Sequence, residues 1–171
     1  MTETTQHTRH SRSVITANAD LKTGSALMAL AGVAFIGYGL VFLVWNFAGG
    51  AFELGVETIN GTTRADLNAF EPAVLHYISH LHVATAAFIV STGIAVAGLA
   101  WYGIRQGQVW AWTTAVMAAV LGLAIALPMH WVDLFTHDWL THLGPVYLAA
   151  GVFVAGALLA LRGLGRAGRS T

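Results

Sequence analysis

The sequence predicts an all-α integral membrane protein: a four-helix bundle of four transmembrane helices with both termini cytoplasmic. Three observations lead there. Hydrophobic residues make up 56% of the 171-residue chain and charged residues only 9%, whereas a soluble domain carries roughly a quarter charged. The apolar residues gather into four long runs separated by polar stretches. Threading those runs as four spans puts Arg9, Arg12, Lys22, Arg105, Arg162, Arg166 and Arg169 on one side and Arg64 alone on the other. That asymmetry is the positive-inside pattern, and it sets the termini in the cytoplasm of a cell-membrane protein.

The length suits one compact domain. Eight basic and eight acidic residues cancel, so nothing points to nucleic acid; the expected surroundings are a lipid bilayer and other membrane proteins, a second copy of the chain included. Cysteine is absent. That excludes disulfides, thiolate metal sites, iron–sulfur clusters and covalent haem attachment, and leaves nitrogen and oxygen as the available ligands.

Residues 1–22 are polar with little apolar periodicity and read as a cytoplasmic tail. The single transmembrane domain occupies 23–162. Its first run, Ser25 to Phe47, carries no charge and as a helix spans roughly 35 Å, enough to cross a bilayer. A signal peptide's apolar core is about 7–15 residues, so this longer run reads as a retained span. Ser25, Ala29, Gly32 and Gly39 fall near one face, the small-residue seam that membrane helices use for close approach.

A polar outer loop, 48–73, follows with Glu53, Glu57, Asp66 and Glu71, and an Asn60-Gly61 turn signal. Its length predicts short local structure. Glu71-Pro72 reads as a helix start, with proline at the first helical position. Helix two then runs to about Ile104, long enough that its first turns project from the hydrocarbon. Arg105 to Gln108 is a tight turn. Helix three runs from about Val109 to His130 with Pro128 kinking its end. A mixed stretch with Trp131, Asp133, His137, Asp138, Trp139 and His142 leads to Gly144-Pro145, where helix four begins. Residues 163–171 form a basic cytoplasmic end. Trp45, Trp131 and Trp139 fall near the outer boundary and Trp101, Trp110 and Trp112 near the inner one, as two aromatic belts.

The threading gathers six of the eight histidines at the outer interface: His76, His80, His82, His130, His137 and His142. At 100° per residue His76 and His80 share a stripe with Ala84, Ala87, Ser91 and Gly98, which predicts that they face the bundle and that His82 faces outward. If helix three continued past Pro128, His130 and His137 would align, with Asp133 to one side. Imidazoles and a carboxylate without thiolate suit zinc, copper or iron. The candidate metal ligands are therefore His76, His80, His130, Asp133 and His137. Haem b held by axial His80 and His130 is a second version. Against both stands a non-catalytic structural or accessory subunit whose histidines simply tolerate the interface. Clustered imidazoles that respond to pH are a further reading. No nucleophile elbow, phosphate loop or mid-depth charge points to another chemistry.

Overall fold

The computed structural model describes residues 2–132 and 137–168, with side chains from residue 18 onward. The fold is all-α. Among the described residues four helices are long and apolar enough to cross a membrane: Asn18–Ala48, Pro72–Gln106, Val109–Trp131 and Gly144–Ala167. The first belongs to helix α1, Thr2–Ala48, which runs back through the stretch expected to be an irregular tail. No proline or glycine lies between Thr2 and Thr23, so a helix nucleated by the apolar run has nothing to stop its propagation.

Helix α1 is the centre of the bundle, running antiparallel to α3 (Pro72–Gly98) on one side and α6 (Gly144–Ala167) on the other. Two glycine contacts set these approaches. A Cβ on Gly32 would lie 2.8 Å from the Gly93 carbonyl oxygen of α3, and one on Gly156 of α6 would lie 2.8 Å from that of Gly24. Nothing larger fits without moving backbone. Asn46, buried near the end of α1, donates to Ser79 Oγ at 2.7 Å and fixes the register with α3.

The main core lies toward the terminal end of the bundle, around Met28, Val96, Ile104, Phe153 and Ala160. Helix α4 (Val109–Ala126) joins it there through Ala111 and Ala115, while Trp112 Nε1 donates to the Ala157 carbonyl at 3.0 Å. Further along, α4 presents Ala118, Ala119, Gly122 and Ala126 toward the other helices. These side chains are too small to fill the space, and a cavity of about 550 Å³ opens between all four helices.

The connections follow local chemistry. Strands β1 (Thr58–Ile59) and β2 (Thr62–Thr63) form a hairpin across Asn60-Gly61, with φ of 50° and 81° at those residues. Both values are left-handed, which is why this pair suits a tight hairpin turn. Helix α2 (Arg64–Phe70) starts with a capping box between Thr63 and Asp66. Arg64 donates to the carbonyls of Asn46 at 2.6 Å and Ala51 at 3.3 Å. A cation thus meets the negative end of α1. Phe52, Val56 and Leu75 make a small second core that packs the loop onto α3.

Helix α3 begins at Pro72 and continues through a π turn, Leu99–Gly103, and a 3-10 turn to Gln106. Gly107, with φ of 81°, closes the reversal into α4. The α-helix of α4 gives way to a 3-10 turn, Leu127–Trp131, at Pro128. The helical alignment of His130 with His137 therefore does not form. His137 lies outside any helix, and α5 (Trp139–His142) is a separate short element.

Candidate functional site

The cavity's lining is mostly apolar, with Thr85 and Thr92 along α3, and its loop end is met by Tyr38, Glu53, His82, His130 and His142. Each is placed by local structure that can be followed from the sequence. His142 ends α5, whose start is capped by Asp138: its Oδ1 accepts from Thr141 N at 2.8 Å and Thr141 Oγ1 at 2.7 Å. Those two bonds hold the Asp138 carboxyl below its usual range. The loop is also tied across, with Asp138 N donating to the Gly55 carbonyl at 2.8 Å. Gly55 has φ of +78°, and a Cβ there would press on Thr141 and His142. The loop and α5 can therefore meet closely only at glycine.

The result is a buried imidazole. His142 is 4% exposed, and its Nδ1 lies 2.9 Å from the Leu54 carbonyl. Burial pushes its pKa down, opposed by that bond and by Glu53. His130, in the 3-10 turn, is arranged the same way: its Nδ1 lies 3.0 Å from the Ala126 carbonyl. The two rings then point their remaining nitrogens at each other, Nε2 to Nε2, at 3.1 Å.

The protons can be assigned from the partners. A carbonyl oxygen only accepts, so each Nδ1 must carry the hydrogen. In the neutral tautomer each Nε2 then turns its lone pair toward the other ring. Two lone pairs face each other at contact distance, an arrangement stabilised only by something electrophilic between or beside them. His137 completes a triangle of rings, its centroid 5.6 Å from that of His130 and 5.4 Å from that of His142, while those two are 5.1 Å apart.

A second pair adjoins the first. His82 Nε2 lies 3.0 Å from Glu53 Oε1, and the ring meets Phe42 edge-on at 5.2 Å. The other carboxylate oxygen, Oε2, is 3.9 Å from His142 Nδ1, beyond hydrogen-bond length. Tyr38 donates to the His142 carbonyl at a stretched 3.5 Å.

The facing expected for α3 is corrected. His76 and His80 are exposed, and His82 is the inward residue, on a stripe with Leu75, Ala86, Gly93, Val96 and Ala100. Small residues occupy two faces of this helix, and the close pairing of Gly93 with Gly32 decides which one is buried. The structure brings His130 and His137 together but keeps His76 and His80 apart from them. The axial pair of His80 and His130 is accordingly not formed. Asp133 lies outside the described residues. Among the described residues no group of three His, Asp or Glu side chains is disposed to hold a metal ion; the convergent donors are two, on His130 and His142.

Glu53, His82, His142 and Tyr38 were missed as site residues. Only His142 left a local signal, since Asp138 three residues before Thr141 is a helix-start signature that ends on it. No protein-family model, curated protein or solved structure matches the chain.

Proposed function

We propose that this is a multi-pass cell-membrane protein, with both termini cytoplasmic, that binds a divalent transition-metal ion at its outer face through His130 and His142. The observation that carries the reading is the pair of Nε2 atoms 3.1 Å apart with both Nδ1 atoms committed to backbone carbonyls. Nδ1 donation to a carbonyl is the outer-shell contact that orients a metal-ligating histidine. Zinc–imidazole bonds are about 2.0–2.1 Å, so nitrogens at this separation subtend roughly 95–100° at the ion, within the range metals accept. His137 is the neighbouring imidazole best placed to join them, and Asp133 follows closely in sequence.

Imidazole donors without thiolate favour zinc or copper(II) over calcium or magnesium. The expected ligands His76 and His80 drop out of this proposal, and so does haem b with His80 as an axial ligand. The test is metal content of the detergent-purified full chain after equilibration with zinc and removal of free ion. His130→Ala and His142→Ala should each lower retained zinc at least tenfold, while His76→Ala and His80→Ala leave it unchanged. Retention that depends on His76 or His80, or no retention at all, contradicts the proposal.

A second reading has its own support. The backbone contacts at Gly24, Gly32, Gly93 and Gly156 make a rigid three-helix wall, and α3, α4 and α6 leave large apolar faces exposed. An accessory subunit packed beside other membrane proteins would use those faces, with a shared proton in place of the ion between His130 and His142.

A further inference from the structure

We infer that the cavity between the four helices is a binding site for a neutral, hydroxyl-bearing lipophilic molecule, its chain among the helices and its hydroxyl at the loop end. This is independent of the metal reading, because it rests on different groups.

The cavity's volume, about 550 Å³, falls in the range of roughly 300–1,000 Å³ typical of small-molecule sites. Its wall is built from residues such as Phe35, Phe88, Ala119, Gly122 and Phe153, so a chain entering from lipid meets an equally apolar surface, loses no hydrogen bonds and is held by packing. The charged and imidazole groups are confined to one end, and along the walls the Thr85 and Thr92 hydroxyls of α3 are the polar groups among the described lining residues. That division selects an amphipathic ligand and fixes its direction.

The head is specified by two groups beside His142. Glu53 Oε2 is an acceptor with no donor at bonding distance among the described residues: its neighbour His142 Nδ1 is 3.9 Å away and directs its hydrogen to the Leu54 carbonyl. Tyr38 is a donor whose bond to the His142 carbonyl, among the described residues, is a stretched 3.5 Å. A ligand head that donates to Glu53 and accepts from Tyr38 satisfies both. A hydroxyl does this with one atom. A carboxylate cannot donate and would meet Glu53 as a like charge; an ammonium cannot accept; a hydrocarbon does neither.

Photolabelling tests the idea. The full chain, stripped of metal with a chelator and placed in phosphatidylcholine nanodiscs, is irradiated with hexadecanol carrying a mid-chain diazirine. Label is expected on the cavity-facing residues of α3 and α4. Unlabelled hexadecanol should compete at least fivefold better than hexadecane, hexadecanoic acid or hexadecylamine. Gly122→Leu should cut labelling at least fivefold. Gly122 lines the cavity and a Cβ there meets nothing within 4 Å, so the backbone accepts a side chain at this point of the wall. Glu53→Leu should keep the labelling but abolish the preference for the alcohol.

Label spread over the exposed helix faces and indifferent to Gly122→Leu would overturn the site. Hexadecane or hexadecylamine competing as well as the alcohol would overturn the head group. The position of label in the unmodified chain decides the first point even if a variant fails to fold. Neither point depends on bound metal.

Discussion

In the proposed metal site, two histidines are made ligands by what holds their other nitrogens. His130 and His142 each give Nδ1–H to a carbonyl, of Ala126 and of Leu54, and this leaves two lone pairs 3.1 Å apart. Removing the support should therefore matter almost as much as removing a ligand. Asp138→Ala deletes the cap of α5 and, by loosening the element that carries His142, should lower zinc affinity on the order of tenfold, the low end of what lost support around a ligand costs; a competition titration against a zinc chelator checks it. Residue chemistry also gives a pH prediction away from the histidines. Bonds from Thr63 hold Asp66 below its ordinary value of 3.8. A carboxylate depressed in the folded state stabilises above its unfolded pKa and loses that contribution as pH falls through the folded value. The capping box of α2 should thus hold at neutral pH and open only as pH falls below the ordinary carboxylate range. Amide protection factors across Arg64–Phe70 should then fall while those of α3 persist.

The elements were more legible than the site, for reasons visible in particular residues. Ser25 to Phe47 declares a span by length and apolarity alone, Asn60-Gly61 declares a left-handed turn, and Glu71-Pro72 declares a helix start. These signals are local. The facing of α3 is not. Ala84, Ala87 and Ser91 mark one small-residue stripe and Ala86, Gly93 and Ala100 another, and only contact with Gly32 of α1 chooses between them. His142 is likewise placed by Leu54 and Gly55, far away in sequence. At this scale the glycine contacts should dominate stability. Gly32→Leu and Gly156→Leu force backbone apart, and overpacking costs typically about 1–3 kcal/mol or more. Thermal denaturation in detergent should show a clear fall for each and almost none for His76→Ala or His80→Ala.

As a whole molecule, the chain is a tight wall of α1, α3 and α6 with α4 joined firmly only at one end, by Ala111, Ala115 and Trp112. Divergence of α4 makes the cavity, and the loop with α5 closes its polar end. The proposed orientation puts that end outside the cell. Fusing a fluorescent protein that matures only in the cytoplasm to either terminus should give fluorescence, and the same fusion within 48–73 should not; the reverse pattern would invert the topology. The shared ion is the claim on which the metal function depends, and X-ray absorption at the zinc edge of the loaded protein addresses it most directly. The expected spectrum has nitrogen neighbours at about 2.0–2.1 Å with outer-shell scattering from at least two imidazole rings, reduced in His142→Ala. A first shell of water and carboxylate oxygen without imidazole scattering, or a spectrum unchanged in that variant, would contradict it.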